Sequence, residues 1–317
     1  MEIPAFDDVR AAASRIAGVV HQTPVQTSAT IDAELGATVF WKCENLQKTG
    51  SFKARGAANA VLALDDDAAH RGVVTHSSGN HGAALAYAAA RREIPCTVVM
   101  PEDVSPVKLA AVRGYGADVV FCPQPEREAV TARVQQETGA VLVHPFDDPR
   151  VIAGQGTAAL ELLEEVPGLD LLIAPIGGGG LLAGTAIAAR DLRPGAAVVG
   201  AEPLAVDDAH RSLASGVRQP RVADPDTIAD GLLTGIGEIT FAVLSTLGAR
   251  VVTVGEGDIA VAAGFHLTRM KLVVEPSAAT VLAALRRMAG EIGGMRVGAV
   301  ISGGNTDLRW LDTAALA

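Results

Sequence analysis

Short apolar runs alternate with longer alanine-rich amphipathic stretches along most of this chain. Val73–His76, Cys96–Met100, Val119–Cys122, Leu171–Pro175, Val198–Ala201 and Val297–Ile301 are nearly all apolar and are bounded by Gly, Pro or polar residues. Such runs read as parallel strands buried on both faces, since a strand with one wet face would alternate. Gly82–Arg92, Pro106–Tyr115, Glu126–Thr138, Gly154–Glu165 and Leu181–Leu192 read as the helices between them. A further helix is expected over about Phe6–Ala17. The pattern predicts an α/β fold with mainly parallel sheets. No low-complexity linker divides the chain. The regular βα units from Gly72 to Ala140 suggest a small inserted domain, with the Pro/Asp-rich stretch Pro145–Pro149 marking the return crossing.

Composition narrows the function classes. Among 317 residues, 49% are hydrophobic and 20% charged, which suits a globular core and not a disordered chain. Aromatics are only 3%, so Ala, Val, Leu and Gly must fill that core. A net charge of −10, with no basic cluster interleaved with aromatics, argues against nucleic acid as a partner. The first residues carry early acids and no long apolar core, unlike a secretory signal, and no run of about 18 apolar residues predicts a membrane span. Cys43, Cys96 and Cys122 show no CxxC spacing and are expected as buried thiols in a cytoplasmic protein.

Ligands of open α/β sheets bind at the carboxyl ends of strands, and three strands here run into unusual turns. These are Ser77-Ser78-Gly79-Asn80-His81, Gly177-Gly178-Gly179-Gly180 and Ser302-Gly303-Gly304-Asn305. Four glycines between a strand and a helix form an anion nest at a helix N-terminus, and a phosphate is its natural occupant. Gly178-x-Gly180-x-x-Ala183, with Glu202 further on, also fits the dinucleotide fingerprint, so on local evidence a dehydrogenase stays open. A different segment decides. In Thr49-Gly50-Ser51-Phe52-Lys53 a turn and cap precede a helix beginning near Phe52, which sets a lysine against the helix dipole. That position does nothing for helix stability, but it suits an amine with a lowered pKa.

The segment Ser51-Phe52-Lys53-Ala54-Arg55-Gly56-Ala57 closely resembles the cofactor-lysine motif of the fold-type II pyridoxal-phosphate enzymes, in their threonine/serine dehydratase and serine racemase family. The resemblance continues in order through Ser77–Gly82, Val151–Thr157, Pro175–Gly180, Ile228–Gly231, Met270-Lys271 with Glu275-Pro276, and Ser302–Asn305. It implies two open, twisted, mainly parallel sheets flanked by helices. It also implies a large cofactor-binding domain over 1–65 and 145–317, and a small inserted domain over 66–144 that closes over the substrate.

By that resemblance Lys53 carries pyridoxal 5'-phosphate as a Schiff base and removes the substrate Cα proton. Phe52 packs beside the ring, Asn80 bonds its 3′-oxygen, and Gly177, Gly178, Gly179 and Gly180 cradle the phosphate. Glu275 lies in the cofactor site. Ser302 faces the pyridine nitrogen, where a neutral hydroxyl favours elimination over transamination. Ser77, Ser78, Asn80 and His81 hold the substrate carboxylate. For Ser77 and Ser78 a cap-type turn is expected as well.

The expected reaction converts L-threonine or L-serine to 2-oxobutyrate or pyruvate plus ammonia. Two alternatives stay open. Ser78 matches the opposite-face acid/base of serine racemases, and Arg127 matches a position that can meet a second carboxylate, as in a threo-3-hydroxyaspartate dehydratase. Phe146 instead follows the dehydratase pattern. A non-enzymatic cofactor-binding sensor is the reading from another class. Glu202, the Val206 carbonyl and Asp208 resemble the divalent-cation site of serine racemases, which implies Mg2+, or Ca2+ or Mn2+. The resemblance also implies a homodimer acting on a small amino acid.

Overall fold

The computed structural model describes residues 2–77, 79–102, 104 and 106–312. Its strands in chain order are β1 (Val25–Gln26), β2 (Thr38–Cys43), β3 (Val73–His76), β4 (Cys96–Pro101) and β5 (Asp118–Cys122). These are followed by β6 (Val141–Leu142), β7 (Leu171–Pro175), β8 (Ala197–Pro203), β9 (Arg250–Val254) and β10 (Arg296–Ile301). They form a six-stranded sheet, β1-β2-β10-β7-β8-β9, and a four-stranded sheet, β5-β4-β3-β6. Every strand pairing is parallel except that of β1 with β2.

The continuous apolar runs are explained by helices on both faces. Along β10, Val297, Ala299 and Ile301 enter one core cluster and Val300 another. Leu171 and Ile173 of β7 likewise separate from Leu172 and Ala174. Side chains alternate across a strand, so these clusters lie on opposite faces of the six-stranded sheet. Helices Glu256–Phe265 and Pro276–Arg287 supply one cluster; Pro149–Glu165 and Gly180–Leu192 supply the other. The four-stranded sheet has its own core, built with Ala-rich helices Lys53–Leu62 and Asn80–Arg92.

All six predicted strands form, within a residue or two at their ends. The helix predicted from Gly154 begins earlier, at Pro149. Asp148 caps it by accepting the Arg150 N–H at 2.8 Å, and proline at the first helical position needs no donor. Cys43, Cys96 and Cys122 are buried free thiols. Burial pushes Cys43 and Cys96 each up to about 12, which leaves them inert as nucleophiles. Among the described residues, no helix is long and apolar enough to cross a membrane.

Candidate active site

The lysine helix is pinned before it starts. Thr49 (φ 59°) and Gly50 (φ 76°) turn the chain through left-handed conformations. Ser51 then bridges Gly303, and the Phe52 N–H donates to the Ser302 carbonyl at 2.9 Å. Phe52, rather than Ser51, occupies the N-cap of helix Lys53–Leu62, so the expected side-chain cap is replaced by attachment to the end of β10. Lys53 is thus the first helical residue. Its Nζ lies 5.2 Å from the centre of the Phe52 ring and donates to the Pro145 carbonyl at 2.7 Å. Burial lowers its pKa to about 8, with the Glu275 carboxylate pulling the other way. Near neutral pH part of this amine is free base.

Lys53 lines a cavity of about 610 Å3 between the two sheets' strand ends. Phe52, Ser77, Asn80, His81, Arg127, Gly177, Gly178, Gly179, Gly180, Glu275 and Ser302 line the same space. Ser78 lies outside the described residues. Ser77 closes a turn and does not cap the helix: its Oγ accepts the Gly79 N–H at 3.2 Å, and Gly79 itself occupies the N-cap of helix Asn80–Arg92. His81 is buried at the start of helix Asn80–Arg92, with its Nε2 3.1 Å from the Val143 carbonyl. Burial holds its pKa well below the usual histidine value, so the ring is neutral. Arg127 opens helix Arg127–Thr138 and is half-buried at the cavity wall, its Nε donating to Gln124 O at 3.3 Å.

The glycine turn is shaped by close approach. A Cβ on Gly178 would lie 2.2 Å from the Phe146 ring, and Gly179 takes φ 89° at the N-cap of helix Gly180–Leu192. The first amides of that helix have no intrahelical acceptors and face the positive dipole end. Asp147 caps the adjoining helix Glu238–Thr246 by accepting the N–H groups of Glu238 and Ile239, both at 2.9 Å. The Thr240 hydroxyl donates to the Gly178 carbonyl at 2.7 Å.

Several participants carried no prediction. Asn305 donates to Asn80 Oδ1 at 2.9 Å, and this orients the Asn80 amide so that its nitrogen donates to both Glu275 oxygens at 3.1 and 3.0 Å. Burial pushes the Glu275 carboxyl up to about 7, with the Asn80 bond opposing it. His76 and His144 also line the cavity, with ring centres 5.5 Å apart. Burial, and then His144, lower His76 to about 4. Asn305 stands in a motif already singled out, but nothing in its spacing reveals its contact with Asn80. Pro145 acts through its carbonyl, which no side-chain pattern signals.

Glu202 and Asp208 lie outside this cavity. The Glu202 oxygens accept the Ala209 and His210 N–H groups at 2.9 and 2.8 Å, and Asp208 Oδ2 accepts the Ile236 N–H at 2.9 Å. Burial pushes Glu202 up to about 8, and Asp208 is raised as well. Among the described residues no group of three or more His, Cys, Asp or Glu side chains is arranged to hold a metal ion.

A base-poised lysine, a phosphate-sized glycine nest on a helix N-terminus and a buried hydroxyl at a strand end define a cofactor-dependent enzyme of amino-acid chemistry. The family model described as "Pyridoxal-phosphate dependent enzyme" matches residues 16–303, and the chain belongs to that family. It is 49% identical over 306 residues to a serine racemase of Dictyostelium discoideum, covering 95% of this chain and 94% of that protein. It is 45% identical over 312 residues to a beta-hydroxyaspartate dehydratase of Paracoccus denitrificans, covering 97% and 98%. The solved structure of a threonine deaminase from T.th. superposes with a TM-score of 0.91 at 45% identity, covering 96% of this chain and 99% of that one. The protein is an enzyme, a lyase or racemase of this family. The dinucleotide reading of the glycine turn is thereby set aside.

The residues present fit pyridoxal phosphate. The turn at Gly178 is a cradle that a Cβ would fill against Phe146, and Lys53 and Ser302 line the cavity beyond it.

Proposed function

We propose that this enzyme is an ammonia-lyase for β-hydroxy amino acids and that a substrate with a second carboxylate, threo-3-hydroxyaspartate, is preferred over serine and threonine. The observation that carries this reading is Arg127, whose half-buried side chain lines the same cavity as Lys53, Ser77, Asn80 and His81. An arginine there gives a second carboxylate a planar, bidentate partner, and serine or threonine leaves that partner unused. Threonine and serine, the first expectation from the sequence, therefore move behind hydroxyaspartate. Racemisation is the second reading; it rests on Ser78 as an opposite-face acid/base.

Bound in this site, pyridoxal phosphate supplies an electrophilic carbon for the substrate amine and an electron sink for the Cα–H bond. The chain supplies the rest. The N–H groups of the Gly177–Gly180 turn hold the phosphate. The Ser77–His81 turn holds the α-carboxylate. The free amine of Lys53, kept near Pro145 O and out of bulk water, takes the proton from Cα. The β-hydroxyl would leave as water by taking up the proton that Lys53 received from Cα. The enamine left behind tautomerises to an imine that water hydrolyses to a 2-oxo acid and ammonia. Ser302, which lines the cavity, would offer the cofactor ring a neutral hydroxyl that does not force its nitrogen to protonate.

The proposal includes a divalent cation held by Glu202, Asp208 and the Val206 carbonyl. The donor chemistry fits: burial raises both carboxyls, the Asp208 charge adds to the rise at Glu202, and hard oxygen donors suit Mg2+ or Ca2+. It also includes a cytoplasmic homodimer, for which light scattering of the purified chain is the test. The function itself is tested by 2-oxo acid release from threo-3-hydroxyaspartate, L-serine and L-threonine, with chiral analysis of recovered serine. The reading predicts the highest kcat/KM for hydroxyaspartate. D-serine formed faster than any oxo acid would contradict it.

A further inference from the structure

We propose that Arg55 is a positioning residue for Lys53, and that a four-charge cluster of Arg55, Glu44, Glu161 and Lys42, with only Glu161 partly exposed, fixes the Lys53 amine at the Pro145 carbonyl. The inference rests on the reading of Lys53 as the cofactor lysine.

Arg55 is completely buried two residues after Lys53. Its Nε and Nη2 donate to the two Glu44 oxygens at 2.8 Å each. Its Nη1 and Nη2 donate to the two Glu161 oxygens at 2.6 and 2.8 Å. Nη1 also reaches Thr157 Oγ1 at 3.2 Å. Lys42, equally buried, stands 2.6 Å from Glu161 and donates to the Thr23 carbonyl at 2.7 Å. Two cations thus face two carboxylates, and the cluster is neutral as a whole. A buried ionic group is expensive to assemble and hydrophobic replacements are often as stable, so stability alone does not account for it.

What it specifies here is a register. The cluster joins the end of β2, the first turn of the lysine helix and helix Pro149–Glu165. The two helices are in close backbone contact, since a Cβ on Gly154 would lie 2.6 Å from Gly56 Cα. Gln155 Oε1 accepts the Gly56 N–H at 3.1 Å, and Asn59 donates to the Arg150 carbonyl at 2.7 Å. Lys53 takes no part in the cluster. It spans the gap from the first helix to Pro145, on the segment leading into the second. Any slip between the helices therefore changes the Lys53–Pro145 distance and opens the amine to water.

Hydration of the amine would favour its protonated form. Among the described residues, Glu275, His81 and His144 interact electrostatically with Lys53, and none of them belongs to the cluster. The cluster's effect on the amine is consequently mechanical. Its test must keep the local charge constant.

Two charge-conserving changes do so: Arg55→Lys, which keeps the cation but loses the fork, and the double variant Lys42→Met/Glu161→Gln, which removes one ion of each sign. In the full chain freed of cofactor, the rate of forming a borohydride-stable pyridoxal phosphate adduct on Lys53 is followed against pH, beside thermal unfolding. Wild type should show a midpoint near 8. Each variant should raise the midpoint by about one pH unit and slow capture at pH 7 roughly tenfold, since the free-base fraction falls tenfold per unit. In turnover, kcat should fall more than KM changes. Should Arg55→Lys fail to fold, the double variant reads the same quantities. A folded variant with an unchanged midpoint, and only a lower unfolding temperature, overturns the proposal. Absence of any adduct on wild-type Lys53 is a different failure: it overturns the reading of Lys53 and this proposal with it.

Discussion

Lys42 and Lys53 lie close in sequence, one fully buried and one half-buried at the cavity, yet the fold treats them in opposite ways. Lys42 lies near the end of a strand, touches Glu161 at 2.6 Å and gives a hydrogen bond to Thr23 O. Lys53 opens a helix with the Pro145 carbonyl oxygen at its amine and, among the described residues, no ion-paired carboxylate; burial brings its pKa down to about 8. A carboxylate in contact makes a buried lysine a fixed structural cation. Withholding that carboxylate, and setting the amine at the positive end of a helix, makes it a base. Lys42 is fully buried and Lys53 half-buried at the cavity, so depth alone would disfavour the charge on Lys42 more; the difference lies in partners.

Replacing each lysine should separate the two roles. The largest effect is expected from Lys53→Ala: 2-oxo acid release should fall by about a thousandfold or more, the scale of a lost base and anchor. Its cofactor-free chain should be no less stable than wild type near pH 7, where burial works against the protonated amine. The sign follows from the depressed pKa. Between about 8 and the ordinary 10.5, the unfolded lysine binds more protons than the folded one. Wild type therefore gains stability relative to Lys53→Ala as pH rises through that window. Urea unfolding of both proteins at a series of pH values measures this, and a wild-type stability that falls relative to the variant as pH rises would contradict it.

Lys42→Met should do the reverse and act first on stability. Removing one partner of a buried pair costs about 3 kcal/mol, read as a lower urea midpoint. A variant as stable as wild type would break the comparison. A smaller effect sharpens what the Lys53 chamber recognises. Arg127→Leu should lower kcat/KM for threo-3-hydroxyaspartate roughly tenfold to a hundredfold, for a lost charge-assisted contact of about 1.5–3 kcal/mol. The same change should alter serine turnover by far less. Equal losses on both substrates would remove the second-carboxylate role. The smallest effect concerns Glu202 and Asp208, whose neighbouring cation, Arg211, is ion-paired with Asp207 instead, unlike the cations that contact Glu44 and Glu161 directly. Chelator should lower the unfolding temperature by a few degrees, corresponding to about 2–3 kcal/mol for a site filled at a hundred times its Kd, and Mg2+ should restore it. No response to either would argue against a cation there.

How much of this is written openly in the chain differs by element. The strands buried on both faces were legible because they are uninterrupted apolar runs. β2 was not, because Lys42 interrupts Thr38–Cys43 and its neutralisation by Glu161 comes from a distant helix. β1 and β6 are two residues each and exist only through their pairing. β9 carries an apolar run in Arg250–Val254 that equally well ends a helical stretch. Within the site, Lys53 and the glycine turn announce themselves by local chemistry. The Pro145 carbonyl, the Asn305–Asn80–Glu275 chain and the Arg55 cluster depend on residues far apart in sequence, and only folding brings them together.

Borohydride reduction of the purified enzyme followed by peptide mass mapping tests the central claim most directly. The account predicts the reduced cofactor on Lys53 and on no other lysine. A cofactor found on Lys108, which lines the same cavity, or on no lysine, would contradict it.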